Sequence, residues 1–218
     1  MKAYVITIMN NTSSVHFANR CIESAPHLNI EHFNAITPDD DILKILDDNN
    51  INDLNNFKTD QRYSRMERCI AAFLSHFHCW KKSIELDQNV IIFEHDAIVT
   101  GDVPTNLNFD KVITLSKPSY GNYNTPINLS VGPLVQKRYF GGAHGYMVSP
   151  RGAKELLKKA ETDAGPTDVF LHLDNFSFLQ EYYPWVVEAR DSFTTIQNER
   201  GCRAKHMYHI NPQNYKII

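Results

Sequence analysis

The chain has 218 residues, 42% of them hydrophobic and 22% charged, with four cysteines and a formal net charge of -3. That length suits one domain over residues 1–218 with a full hydrophobic core, and that charge gives no global reason to expect a polyanion partner. No apolar run approaches the ~18 residues a bilayer span needs, the opening MKAYVITIM lacks the layout of a signal peptide, and Cys21, Cys69, Cys79 and Cys202 show no CxxC spacing, so the expectation is a cytoplasmic protein with reduced thiols and at most peripheral membrane contact.

Ala3 to Met9, AYVITIM, is rich in β-branched residues and reads as an opening strand closed by the turn-forming NNTSS. A helix through His16 to Ala25 and an alternating strand, Ile30 to Ile36, complete a β-α-β start, which implies a parallel sheet. Thr37 to Tyr63 shifts to Asp and Asn around the amphipathic DILKILDD, a short helix in a long excursion. Ser64 and Glu67, three apart, form a capping box for a stronger helix, whose Ile70, Phe73, Leu74, Phe77, Trp80 and Ile84 make one buried stripe. His76 falls at the edge of that stripe and Ser75 on the opposite side.

VIIFEHDAIV, residues 90–99, is an apolar strand that runs into Glu94, His95 and Asp96. KVITL (Lys111 to Leu115) is another strand, and Ser116 to Gln136, crowded with Pro, Gly, Asn and Tyr, is a loop long enough to be a lid. GYMVS is a strand leading into Ser149-Pro150, an N-cap followed by proline at the first helical position, with Ala153, Leu156, Leu157 and Ala160 as the buried face. GPTDVFLHLDNFSFL reads as a further helix and WVVEA as a last strand. The C-terminal ERGCRAKHMYH is either a local basic patch or a solvated end.

Three polar groups at the end of a buried strand are costly unless they are paired or hold something. Ligands of open α/β sheets bind beyond the carboxyl ends of the strands. Alternation in an extended segment puts Glu94 and Asp96 on one side, where they can address one hard cation or its hydration shell. The rival reading is a solvated strand end with a capping aspartate. Gly141, Gly142 and Gly145 either admit a ligand to the backbone or make tight turns.

Five segments in order carry a resemblance: VITI (Val5 to Ile8), FLSHFHCW (Phe73 to Trp80), IIFEHDA (Ile91 to Ala97), GYMVSPRGAKELL (Gly145 to Leu157) and PTD (Pro166 to Asp168). The chain resembles glycosyltransferase family 25, the lipooligosaccharide and collagen galactosyltransferases, whose corresponding segments are of the types VINL, ALSH, EDD, GYLIS-x-x-GA and PVD. The resemblance implies an α/β, GT-A-like nucleotide-sugar-binding fold with a central, mostly parallel sheet flanked by helices. It also implies metal-assisted, inverting transfer from a nucleotide-sugar donor, most simply a UDP-sugar, to a hydroxyl acceptor such as lipooligosaccharide.

Carried over residue by residue, the resemblance makes Asp96 the leading ligand of Mn²⁺ or Mg²⁺, with Glu94 helping directly or through water. Thr7, Ser75, Glu94, His95 and Gly142 fall at donor-binding positions, and His76 matches the family's histidine as a catalytic candidate or a hydrogen-bonded core residue. Asp168 falls on the PVD aspartate, which suggests a general base for the acceptor hydroxyl or a helix N-cap, with Asp174 as the fallback base. His95 replaces a middle acid, Arg68-Cys69 stands where the family has Gly-Glu, Thr7 replaces an asparagine, and Arg20 is a displaced substitute for arginines that usually follow the first strand. Tyr120, Tyr123 and Tyr139 are candidates for a glycan surface, while Arg200, Arg203, Lys205 and Lys137-Arg138 are the set a nucleic-acid acceptor would need. A metal-dependent phosphohydrolase and a non-catalytic nucleotide-sugar binder are the remaining rivals.

Overall fold

A strand apolar on both faces must be covered on both, and Ala3, Tyr4 and Val5 impose that on the first strand, β1 (Lys2–Thr7). The structure, a computed structural model, describes residues 1–58, 65–189, 193–196 and 216–217. The further strands are β2 (Ile30–Asn34), β3 (Val90–Glu94), β4 (Ala97–Val99), β5 (Val112–Thr114), β6 (Ser130–Pro133), β7 (Gly145–Val148), β8 (Leu179–Tyr183), β9 (Val187–Ala189), β10 (Phe193–Thr194) and β11 (Lys216–Ile217).

Seven of them form one sheet in the order β2-β1-β3-β7-β5-β8-β6. β2, β1 and β3 are parallel neighbours, β5 and β8 are parallel, and β7 and β6 run against them. Five strands therefore share one direction, the mostly parallel sheet that a GT-A-like fold requires. Val90 and Ile92 of β3 face one layer while Ile91 and Phe93 face the other, and Val112 and Ile113 of β5 and Tyr146 and Met147 of β7 divide in the same way.

The first layer holds α3 (Met66–Glu85), α4 (Pro150–Asp163) and the single turn α5 (Thr167–Phe170), which bury Phe73, Leu74, Trp80, Leu156 and Phe170. α1 (Thr12–Glu23) and the antiparallel pair β4–β9 cover the other face with Ala18, Cys21, Val99 and Val187. α2 (Ile42–Asp48) and a short 3-10 turn, Asn55–Lys58, occupy the excursion after β2. Trp80 and Phe73 are fully buried, and truncation of such side chains to alanine costs about 3–5 kcal/mol. Among the described residues no helix is long and apolar enough to cross a membrane, and Cys21, Cys69 and Cys79 are buried thiols outside any disulfide.

Capping sets the helix ends. Asn11 accepts from Ser14 N at 3.0 Å and starts α1 at Thr12, one turn before the predicted His16. Ser149 accepts from Gly152 N at 3.1 Å with Pro150 next, as predicted. α3 begins at Met66 with Arg65 at the N-cap and no side-chain cap from it; Ser64, the serine of the expected capping box, lies outside the described residues.

Two expectations are corrected. The helix predicted from GPTDVFLHLDNFSFL is one turn only, because Leu171 O and Leu173 N bond to Phe140 N and Arg138 O instead of continuing the helix. The chain then enters β8, an interior strand the aromatic spacing concealed. Nor is Ser116 to Gln136 a structureless lid: Ser130–Pro133 pairs with β8 at the sheet edge, and Lys117 N bonds Val187 O. Cys202 and the C-terminal basic stretch lie outside the described residues.

Candidate active site

Strand alternation decides where Glu94 points. Val90, Ile92 and Glu94 share a face, so the last residue of β3 continues toward the α3 layer and meets His76 there, with Nε2 3.2 Å from Glu94 Oε1. The chain then turns at His95 and Asp96 before β4, which brings Asp96 back toward Glu94. Opposite both stands His144, immediately before β7, whose backbone carbonyl accepts from Glu94 N at 3.0 Å.

The His144 ring has a definite polarity. Ser119 Oγ gives its proton to Gly141 O at 3.2 Å and so accepts from His144 Nε2 at 2.9 Å. The other nitrogen, Nδ1, faces Glu94 Oε2 at 3.3 Å and Asp96 Oδ1 at 3.5 Å. His144 Nδ1 and Asp96 Oδ1 are buried and make no hydrogen bond. Three acceptors converging in this way need a positive charge between them, either a proton on the ring or a cation. Burial opposes charge on the imidazole, but Asp96 and Glu94 outweigh it and push His144 up to about 10. Burial likewise opposes ionisation of Glu94, yet His144 and His76 hold its carboxyl well below the usual range.

Among the described residues Glu94, Asp96 and His144 form a group whose donor atoms lie within 4.8 Å of one another. One imidazole nitrogen and two carboxylates suit Mn²⁺ or Mg²⁺ with further sites left to phosphate and water. Gly142 makes room for the ring: its φ is +111°, and a Cβ there would lie 2.1 Å from His144 Nε2. Gly142 therefore seats His144. Gly141 and Gly145 pack against Pro118 and Val187.

His76 is ordered by a chain of protons. Trp80 Nε1, a donor only, gives to Tyr146 OH at 2.8 Å, and the phenol gives to His76 Nδ1 at 2.9 Å. The remaining proton sits on Nε2 and points at Glu94. His76 is 2% exposed, and this geometry gives it a positioning role. His95 is oriented similarly: Ser14 Oγ takes Ile8 N–H at 2.9 Å and gives its own proton to His95 Nδ1 at 2.6 Å. That nitrogen is thereby occupied, and His95 stands outside the three-residue group.

A cavity of about 560 Å³ opens at the carboxyl ends of β1, β2 and β3. His76, Glu94, His95 and Asp96 form one side, Ala35 to Asp39 another, and Arg65, Glu67 and Arg68 at the start of α3 a third. Thr194 to Ile196 borders it, held by Arg68 Nη1 donating to Thr195 O at 2.9 Å and Arg65 N donating to Ile196 O at 3.0 Å. Ser75 also lines it but serves structure, giving to Ala71 O and accepting from Ile36 N, both at 2.9 Å. Thr7 does not line it; fully buried, it bonds Val5 O at 2.9 Å. Arg20 stands 4.9 Å over the Phe17 ring, away from the cavity.

Asp168 lies in the first turn of α5, with Pro166 at the N-cap, so it is not the cap that one reading predicted. Tyr120 OH donates to Oδ2 and Val169 N to Oδ1 at 2.9 Å. Burial raises its carboxyl above the usual range, and the Glu94 charge adds to that. Asp168 thus shares the field of the Glu94 and His144 group without lining the cavity. The residues of 116–136 also stay off the cavity and lie on the Asp168 side through Tyr120. Asp174 is exposed and paired with Arg138, and Tyr123 packs edge-on against Trp185 at 5.4 Å.

The family model described as Glycosyltransferase family 25 (LPS biosynthesis protein) matches residues 1–124, more than half of the chain. The chain belongs to glycosyltransferase family 25. No curated protein matches it at a significant level. As a family 25 glycosyltransferase it is an enzyme whose donor is a nucleotide sugar, and the matched span contains the cavity walls of β1, β2 and α3 together with Glu94 and Asp96. His144 and Asp168 lie beyond that span. His144 escaped the sequence reading although it precedes Gly145 directly; its only local signal was a histidine at the mouth of a buried strand. Arg65 was unremarked as well, because a residue ahead of a helix shows its direction only once the helix is placed.

Proposed function

We propose that this glycosyltransferase transfers a sugar, with inversion, from a UDP-sugar to a hydroxyl of a glycan acceptor in lipopolysaccharide assembly, as one catalytic unit over residues 1–218. The observation that carries the reading is His144 Nδ1 facing two carboxylates that line the cavity, with Asp168 off the cavity lining but within the field of Glu94 and His144. Glu94, Asp96 and His144 would hold a divalent cation, Mn²⁺ or Mg²⁺, which when bound supplies positive charge against the diphosphate leaving group. His76 fixes Glu94 through its Nε2 proton, and Ser119 fixes His144 through its Oγ. Arg65 and Arg68 add positive charge to the cavity wall, which suits a dianionic diphosphate.

Asp168 takes the proton of the acceptor hydroxyl as its oxygen bonds to the sugar's anomeric carbon and the bond to the diphosphate breaks. Attack on the face of the anomeric carbon opposite the departing diphosphate gives inversion. Thr194 to Ile196 lines the cavity and takes up wall that water, the competing acceptor, would otherwise reach. The test needs no knowledge of the acceptor. A panel of nucleotide sugars incubated with Mn²⁺ should show slow release of one nucleoside diphosphate, UDP, and loss of it in Asp96→Asn. Release of inorganic phosphate without sugar, or binding without any hydrolysis, would favour the phosphohydrolase or the binder instead.

A further inference from the structure

On the Asp168 side of the site, aromatic rings surround one cation. Tyr120, whose hydroxyl bonds Asp168, lies 6.2 Å from the Tyr139 ring, and Tyr139 stacks on His172 at 5.9 Å with 11° between the planes. Lys137 Nζ stands 5.4 Å from the centre of the Tyr120 ring and 5.3 Å from that of Tyr139, and donates to Asn122 O at 2.8 Å. All four side chains are half-buried, which leaves part of each open to a bound molecule. Among the described residues no carboxylate pairs with Lys137, whereas its neighbour Arg138 is neutralised by Asp174.

We propose that Lys137 recognises an acidic substituent, a carboxylate or a phosphate, on the sugar that accepts transfer. The inference rests on the glycosyltransferase reading and adds the class of acceptor to it. Tyr120 connects the two functions, with its ring beside the ammonium and its hydroxyl on Asp168, so an acid bound by Lys137 lies next to the sugar whose hydroxyl Asp168 deprotonates. The stacked Tyr139 and His172 offer an aromatic surface to the same ring. Burial already lowers the lysine's affinity for its proton, and the two aromatic faces supply only part of what water gave it; a counter-ion on the substrate supplies the rest. A nucleic-acid acceptor is disfavoured by the same facts. It calls for a row of uncompensated cations, and among the described residues this surface has one, on a chain of net charge -3.

The experiment compares matched aryl glycosides, a neutral hexoside, its uronide and its 6-phosphate, together with duplex DNA bearing hydroxymethylated bases, under the donor and Mn²⁺ found by the hydrolysis screen. The expected result is a kcat/KM at least tenfold higher for one of the acidic glycosides than for its neutral partner. In Lys137→Met, which keeps the stem and drops the charge, that ratio should fall to about one, and Lys137→Arg should keep most of it. Equal use of acid and neutral partners, use of no acidic glycoside, a preference that survives Lys137→Met, or preferred transfer to DNA each overturns the proposal. Wild-type donor hydrolysis separates the two levels: its presence with no acid preference removes only Lys137's role, while its absence with every nucleotide sugar removes the transferase reading beneath it.

Discussion

At Asp168, the residue proposed as general base, opposing neighbours tune the carboxyl. Burial raises its carboxyl above the ordinary aspartate range, and the hydrogen bond from Tyr120 lowers it. A general base works only when ionised, so a raised pKa means that transfer is lost on acidification at a higher pH than an ordinary aspartate would give. Removing the Tyr120 hydroxyl removes a lowering influence, and Tyr120→Phe should move the acid limb of kcat/KM to still higher pH; an unmoved limb would detach Asp168 from the rate. Asp168→Asn should cut transfer by ~10² or more while the protein stays folded, since Asp168 is not a cap. Gly142→Ala places a Cβ 2.1 Å from His144 Nε2 at φ +111°. The expected cost is about 1–3 kcal/mol in denaturant unfolding, accompanied by weaker Mn²⁺ binding. Of these residues, Glu94, Asp96 and Asp168 were legible as acids at strand and helix ends, whereas the seating of His144 by Gly142 was not, since a sequence does not show what a missing Cβ makes room for.

Among the elements, α3 and β7 are joined by the Trp80, Tyr146 and His76 chain, which turns a packing contact into a means of orienting Glu94. Tyr146→Phe would leave the Trp80 N–H and His76 Nδ1 buried and unpaired. Each such loss costs about 1–3 kcal/mol, so urea unfolding should reveal a clear destabilisation, and turnover should fall because His76 can flip its tautomer. Turnover that matches wild type would confine the chain to a structural role. The α3 stripe could be read from its period, because one helix face meets one layer. Its start was legible to within two residues, Met66 against Ser64, whereas the bond from Arg65 N to Ile196 O, distant in sequence, was not. β8 was hidden for a similar reason: its pairing partners are β5 and β6, and the buried Glu181 within it is satisfied by Val135 N and Gln136 N, so an acidic residue occupies an interior strand.

For the whole molecule, the β-α-β start was enough to announce a parallel sheet, and the apolar run VIIF ending in acids located the ligand end of it. Strand order was beyond reach, because β7 enters between β3 and β5 by a crossover that no local pattern encodes. The overall charge bears on the acceptor: with -3 on the chain and Arg138 neutralised, duplex DNA should bind weakly, and transfer should change little between low and moderate salt. Tight binding that collapses with salt would contradict a glycan acceptor. The account as a whole turns on a cation held by Glu94, Asp96 and His144 in place of the proton that the two carboxylates otherwise keep on the ring. Calorimetric titration of Mn²⁺ into the protein at pH 7.5, in two buffers of different ionisation enthalpy, measures stoichiometry and proton release together. The account predicts one Mn²⁺ per chain, release of about one proton, and loss of binding in His144→Ala and Asp96→Asn; binding without proton release, or unchanged in both variants, would contradict it.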